Sequence, residues 1–311
     1  MHMLSKPDIL LQKGLKLSHL RILAALAETG QISLSAAQIG ITQPAASRLL
    51  AEIEGIVGAP VHSRTGRGVT LTLMGQALAE RAQRVQLELR EAARELAEIA
   101  AGGVGHVRIG SVTGPALDRV LPALRTARVA QPSVTVEVIV ATSDILFQHL
   151  LAGRIDFAIG RPPVGPGSLL LEHRVIAGEP VSLVIRRGHP LDGHPDLTAK
   201  DLLDFDWVMP APDSLLSRTV LARLRAHGLP PPPQRLSTAS FLLTLALLQQ
   251  SNAIAPLASA VAETFTRAPD APYRILPIEL GIVVEPFGLM TRIGMALTPV
   301  ARSLADGILA R

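Results

Sequence analysis

The sequence predicts a helical N-terminal domain, one long connecting helix and a C-terminal α/β domain. Three observations carry this. Apolar residues recur at helical spacing, punctuated by glycines, as far as about Thr72. A regular heptad seam runs from Leu73 to about Ala101. Beyond Gly102-Gly103-Val104-Gly105 the rhythm becomes strands alternating with helices.

In the first segment, Leu17–Glu28 carries a stripe of Leu20, Leu23, Ala24 and Ala27, and Gly30 ends it as a C-cap glycine does. Ser33 is placed to cap a second short helix ending at Gly40, and Thr42 a third. Pro44 suits the first turn of that third helix, where the amide it lacks would be unpaired in any case. Ala46, Leu50 and Ile53 share one face of it; Gln43, Ser47, Arg48 and Ala51 lie on others. Small and aliphatic residues at the preceding turn (Ala36, Ala37, Ile39, Ile41) permit close helix packing, as in a helix-turn-helix that lays its third helix in the major groove. On pattern alone, a plain three-helix bundle with a polar outer face accounts for the segment equally well.

The long helix places Leu78, Ala82, Val85, Leu89, Ala92, Leu96 and Ile99 in alternating steps of four and three, with charged residues between them. So narrow a seam on so long a helix calls for a partner helix, and its regularity favours a second copy of the chain over the chain's own body.

In the C-terminal part, strands are expected at Val107–Val112, Val134–Val140 and Phe157–Gly160, with helices at Pro115–Ala130 and Asp144–Ala152. That order implies a mostly parallel sheet covered on both faces. After the break at Pro162–Gly167 a second series follows: strands near Leu170–Ile176 and Val181–Arg186, helices near Leu215–His227 and Phe241–Gln250, and a stiff connector at Pro230–Pro233.

Composition narrows the function. A chain of 311 residues, 48% of them hydrophobic, is long enough for two or three compact units. A charged fraction of 18% argues against wholesale disorder, and a net charge of +4 permits nucleic-acid contact without demanding it. With 3% aromatic residues there is no stacking platform for single strands. No cysteine is present, which removes disulfides, thiolate catalysis and Cys-based zinc sites. No G-x-S-x-G, H-E-x-x-H or P-loop pattern and no ligand cluster occurs, so neither an enzyme nor a metal site is expected. Met1–Gly14 lacks the apolar core of an export signal. Ala239–Leu248 is too short to span a bilayer. A cytoplasmic protein without membrane contact is the expectation.

The run Ile41-Thr42-Gln43-Pro44-Ala45-Ala46-Ser47-Arg48-Leu49-Leu50-Ala51-Glu52-Ile53-Glu54, with Thr65-Gly66-Arg67-Gly68-Val69-Thr70-Leu71-Thr72 downstream, closely resembles the LysR-type transcriptional regulators. The resemblance extends through Leu151-Ala152-Gly153-Arg154-Ile155-Asp156-Phe157-Ala158-Ile159 and Arg187-Gly188-His189-Pro190-Leu191, covering nearly all but the first dozen residues. It implies an all-α winged helix-turn-helix at 1–72 (1–14 being an extension), a linker helix at 73–101, and an α/β periplasmic-binding-protein-like effector domain at 104–311. That domain would have two subdomains, one of about 104–161 and 270–311, the other of about 162–269. The resemblance further implies that Gln43, Pro44, Ser47 and Arg48 face promoter DNA, with Arg64 and Arg67 in the wing. Leu78, Val85, Leu89, Leu96 and Ile99 would form the seam of a homodimer, which would pair into a homotetramer, with RNA polymerase as a further partner. Leu49 departs from the family, where many relatives are polar.

No cofactor is expected; a small-molecule effector is. In a bilobed fold it would lie beyond strand ends and near helix N-termini, where the sequence supplies Thr113, Thr142, Ser143, Arg161, Ser214, Thr238 and Ser240. Each hydroxyl is equally explained as an N-cap. Arg161 would favour an anion such as a carboxylate, unless it forms a salt bridge at the hinge.

Overall fold

The computed structural model describes residues 9–65, 68–100, 105–233 and 236–310. The chain forms two compact units, 1–100 and 101–311.

In the first unit a one-turn helix α1 (Ile9–Gln12) precedes α2 (Leu17–Thr29), α3 (Ile32–Ile39) and α4 (Gln43–Val57). Strands β1 (His62–Thr65) and β2 (Gly68–Leu71) pair antiparallel as a wing, and α5 (Leu73–Ala100) follows. Gly30 ends α2 in the left-handed region at φ 64°, its N–H donating to the Leu26 carbonyl. Thr42 caps α4 through the Ala45 amide. Two expectations need correction. Gln31, not Ser33, holds the N-cap position of α3, and the neighbouring hydroxyl network is instead Thr29 to Ser35 at 2.7 Å. The buried positions of α2 include Ile22, Leu23, Ala24 and Leu26 with His19, while Ala27 is exposed. The reason is that α2 packs against α3, α4 and α5 together, so one narrow stripe cannot describe it.

The wing is tied to the helices by backbone and side chain. The Val69 amide donates to the Gly30 carbonyl at 2.9 Å. Glu54 of α4 accepts from the Val61 amide at 3.0 Å and lies 3.1 Å from His62 Nδ1. Gly75, in the first turn of α5, sits against this junction: a Cβ there would meet the Val61 carbonyl oxygen, so no larger residue fits. Ala79, Ala82 and Leu87 of α5 are buried within the unit, and Gln86 donates to the Leu20 carbonyl at 3.4 Å.

The second unit has two lobes. Lobe I is built from β3 (His106–Ser111), a helical stretch α6 (Thr113–Pro115) running through a π turn at Ala116–Val120 into α7 (Leu121–Ala130), β4 (Thr135–Val140), α8 (Ser143–Leu151) and β5 (Phe157–Gly160). The chain then enters β6 (Leu171–Arg186), which runs from lobe I into lobe II. Lobe II adds β7 (Val208–Met209), α9 (Leu215–Ala226), β8 (Leu236–Ser237), α10 (Phe241–Gln250), β9 (Ala255–Ala258), α11 (Ser259–Thr266) and β10 (Tyr273–Ile275). Strand β11 (Val283–Arg292) brings the chain back, and α12 (Pro299–Leu309) closes lobe I.

The expected mostly parallel sheet is in fact mixed. β3 pairs parallel with β4 and β5, but β11 inserts antiparallel between β5 and β6. The two strands expected near Leu170–Ile176 and Val181–Arg186 are one strand of 16 residues. Gly178 and Pro180 read as a break, yet they mark where β6 leaves one sheet and joins the other, so regular pairing on one side is not required of them.

Each lobe has its own core. In lobe I, Val107, Ile109, Phe157, Ile159 and Phe287 pack under α7 and α12, while Leu146, Leu150, Ile155 and Met290 fill the other face beneath α8. Gly110 lets α8 approach: a Cβ there would lie 2.6 Å from Ile155 Cδ1 and 2.8 Å from Leu146 Cδ2. In lobe II, Trp207, Leu183, Ile185, Val220, Leu224 and Ile254 form the larger cluster.

His189 is only 3% exposed at the edge of that cluster, its ring 4.6 Å from that of Phe205. Nδ1 accepts the Leu191 amide at 3.0 Å, so Nε2 carries the hydrogen and donates to the Asn252 carbonyl at 3.0 Å. Burial holds its pKa below the ordinary histidine value of 6.5. The unfolded chain therefore binds a proton that the fold resists, and this residue's stabilising contribution is lost as pH falls through the unfolded value of 6.5. The expected result is a melting temperature that drops between pH 7 and pH 5 and a shallower drop in His189→Gln; an unchanged slope in the variant would contradict this.

Candidate nucleic-acid interface and effector cleft

The α3–α4 turn is set by Gly40, whose N–H donates to the Ala37 carbonyl at 3.2 Å, while the Ile41 amide reaches the Ala36 carbonyl at 3.0 Å. This directs Ala46, Leu50 and Ile53 of α4 into the core, at no more than 1% exposure. Gln43, Pro44, Ser47 and Arg48 are all exposed on the outer surface of the same helix. Leu49, the departure from the family pattern, is half-buried and packs on the core, so it leaves the outer face unaltered.

A buffered cluster borders that face. His19 of α2 is 2% exposed, accepts the Lys16 amide at Nδ1 and donates from Nε2 to Glu52 at 2.9 Å. That hydrogen bond is the main cause of the lowered pKa of Glu52, with Lys16 and Arg48 adding positive field. Sequence reasoning missed this clamp between α2 and α4; a histidine one turn into α2 was its only trace. Arg64 lies in β1, paired with Val69. Arg67 falls outside the described residues.

Along α5, Val85, Leu89, Leu96 and Ile99 are 40–67% exposed. Leu78 differs: it is half-buried and packs on the core of its own unit.

In the second unit the structure brings Ser143 and Arg161 together, the Ser143 hydroxyl accepting the Arg161 amide at 3.1 Å. Thr142 holds the N-cap position of α8 without a side-chain cap bond, and Thr113 is exposed at the start of α6. Ser214 and Ser240 cap α9 and α10 through the amides of Ser217 and Leu243, and the Thr238 hydroxyl accepts the Ser240 amide.

Arg161 forms the hinge salt bridge. Its guanidinium meets Glu179 of β6 at 2.6 Å and donates from Nε to the Glu285 carbonyl at 2.7 Å. The side chains of the pair are 12% and 14% exposed. β11 breaks register between Val284 and Phe287, and this irregularity frees the Glu285 carbonyl for the arginine.

Beside this clasp, between the lobes, lies a cavity of about 160 Å³. Lobe I contributes Gly114 and Asp118, the crossing strands Glu179 and Phe287, and lobe II Ser259 and Glu263. None of the hydroxyls named above lines it, although Gly114 directly follows Thr113. Glu179 was not foreseen; its trace in the sequence is a charged residue between Gly178 and Pro180, with Val175–Ala177 before them and Val181 after.

Residues 17–76 match the family described as bacterial regulatory helix-turn-helix protein, lysR family, and residues 100–311 match the LysR substrate binding domain. The chain belongs to the LysR family of transcriptional regulators. It is similar to the HTH-type transcriptional regulator GbpR of Rhizobium radiobacter, 45% identical over 249 residues, which is 79% of this chain and 82% of the relative. It is also similar to GbpR of Azospirillum brasilense, 36% identical over 94% of this chain and 85% of the relative. Among solved structures it shares its fold with full-length CbnR complexed with its target DNA, at TM-score 0.60, 23% identity and coverage of 94% of this chain and 99% of that one. A full-length OxyR variant from Pseudomonas aeruginosa gives TM-score 0.61 at 20% identity, covering 94% of each chain. As a LysR-family chain it is a DNA-binding regulator with a substrate-binding domain, and its function is transcriptional control, not catalysis. Among the described residues no helix is long and apolar enough to cross a membrane.

Proposed function

We propose that this LysR-family chain acts in the cytoplasm as a homodimer, assembling into a homotetramer, that reads a partly palindromic promoter site and changes its occupancy or bend when a small molecule enters the interlobe cleft. The outer face of α4 carries this reading: Gln43, Pro44, Ser47 and Arg48 are exposed together over a fully buried inner face, as a major-groove helix requires. Arg64 and Arg67 would hold phosphate or minor groove from the wing. The exposed residues of α5 would form the dimer seam, and RNA polymerase would be the partner at the promoter.

For the effector to control DNA binding, it must bind one arrangement of the subunits more tightly than another. The interlobe cavity supports the cleft as its site, with Thr113, Thr142 and Ser143 at its lobe I approach and Ser214, Thr238 and Ser240 in lobe II. An anionic effector rested on a free Arg161, and that guanidinium is engaged by Glu179 and the Glu285 carbonyl. A hinge role for Arg161 is the better supported reading.

Footprinting on the region around the chain's own gene tests the regulator reading: protection of a partly palindromic site is expected, and sequence-blind binding would refute it. Arg48→Ala should weaken specific binding by about 1–3 kcal/mol if the guanidinium contacts a base edge. Equal loss on specific and random duplexes would assign it to phosphate instead.

A further inference from the structure

We propose that lobe I holds a second ligand site, a groove between α7 and α12 that takes a medium-chain aliphatic carboxylate, its chain along the helices and its head on Arg128. The groove has a volume of about 300 Å³, against about 160 Å³ for the interlobe cavity. It lies at the other end of the lobe I sheet. The chain leaves β3 toward the cleft after Ser111, which pairs with Val140; the groove is floored by Val134 and Val136 at the start of β4, where Val136 pairs with Val107. The site therefore does not depend on what occupies the cleft.

The walls set the chemistry of the guest's body. Leu124 and Ala127 of α7 and Val300 and Leu304 of α12 line the groove above that floor. Leu124, Val134, Val136 and Val300 pack on the lobe I core yet stay only half-buried, because the groove leaves one side of each uncovered. Covering such apolar surface is favourable in water. No aromatic ring lines the groove, so a planar guest finds no stacking face and a flexible saturated chain fits better. At about 30 Å³ for each water-sized group, the volume holds about ten non-hydrogen atoms, the size of octanoate.

The rim sets the charge. Arg128 is the sole charged residue lining the groove; it is exposed and has no ion pair or hydrogen bond through its side chain among the described residues. Gln131 and Ser303, also exposed, add neutral donors. A guanidinium presents paired N–H groups that match a carboxylate. With the head at an exposed rim, the acid keeps part of its hydration while its chain is covered. A cationic guest would meet a like charge there, and a neutral one would forgo the pairing.

Gly307 keeps the groove open. It follows Ser303 by one turn on the same face of α12, and a Cβ there would have no atom within 4 Å. Glycine weakens a helix relative to alanine. No neighbour crowds this one, so packing within the lobe does not require it. A larger side chain would project into the empty volume.

The test titrates the full-length chain with octanoate, octan-1-ol and octylamine, by calorimetry and thermal shift. Octanoate is expected to bind saturably, one per chain, with octan-1-ol at least 10-fold weaker and octylamine without response. Arg128→Gln should weaken octanoate about 10-fold and leave octan-1-ol unchanged. Gly307→Leu and Ser303→Leu, which fill the groove from two exposed positions, should each abolish binding while circular dichroism stays unchanged. Arg128 also sits in the last turn of α7, where a cation suits the helix dipole. Were that its whole role, Arg128→Gln would lower the melting temperature and leave octanoate affinity intact, which overturns the proposal. Equal affinity for octanoate and octan-1-ol overturns the ligand class. Binding that survives both leucine substitutions, or no saturable binding of octanoate, overturns the site.

Discussion

Leu89→Asp combined with Leu96→Asp is expected to leave the chain monomeric in sedimentation and to weaken its operator affinity by about 10²–10⁴-fold, the usual loss when two linked half-site contacts become one. Both side chains are exposed, at 49% and 67%, beyond the part of the helix where Ala79, Ala82 and Leu87 are buried in its own unit. Burying each leucine against a partner is worth about 1.5–3 kcal/mol, and a symmetric seam counts each twice. An aspartate in its place would have to be desolvated or hold the helices apart. Because these positions carry no packing within the unit, its thermal stability should not change. Leu78 is unsuitable for the same experiment, since it also packs on the helix-turn-helix core. A variant that remains dimeric would place the dimer contact elsewhere.

Trp207→Ala should cost about 3–5 kcal/mol of unfolding free energy, the range for removing a fully buried large side chain. Trp207 is 0% exposed within the cluster of Leu183, Ile185, Val220 and Leu224. Its indole N–H donates to the Leu202 carbonyl at 3.0 Å, and its amide donates to the Pro233 carbonyl at 2.8 Å. The second bond fastens the proline-rich connector against lobe II, so the cavity left by alanine would lie beneath a segment too stiff to collapse into it. Trp207→Phe keeps most of the packing but strands the Leu202 carbonyl, at about 1–3 kcal/mol. Denaturant titration followed by circular dichroism separates the three proteins. Since Trp207 is the sole tryptophan, its fluorescence in the unmutated chain reports lobe II alone. A loss below about 1 kcal/mol for the alanine variant would contradict the packing described.

The parts legible in the sequence are those governed by neighbours a few residues apart. The helical span of α5, the Thr42 cap, Gly30 at the end of α2 and the strand Phe157–Gly160 all follow from local spacing. The outer face of α4 was legible as a polar face, and became a candidate for DNA contact only through resemblance to a family. What the sequence concealed depends on distant partners. Arg161 takes its meaning from Glu179, 18 residues away, and from the Glu285 carbonyl, 124 residues away. The continuity of β6 was hidden because Gly178 and Pro180 are ordinary strand breakers, tolerated here by a strand that changes sheets. Of the hydroxyls placed near helix starts, Thr142, Ser214 and Ser240 hold N-cap positions, and capping absorbs those of Ser214 and Ser240.

The position of β11 bears on how such a chain is made. It is a central strand of the lobe I sheet, held between β5 and β6, yet it occupies residues 283–292 of a 311-residue chain. A ribosome delivers the chain from its N-terminus, and early units fold as they emerge. The DNA-binding unit and most of lobe II can close during synthesis, while lobe I, begun at His106, waits for its middle strand until residues 283–292 have emerged. Through that interval the facing edges of β5 and β6 stand open, and a nonsense or frameshift mutation ahead of Val283 would release a chain that keeps its DNA-binding unit but leaves the lobe I sheet without its central strand.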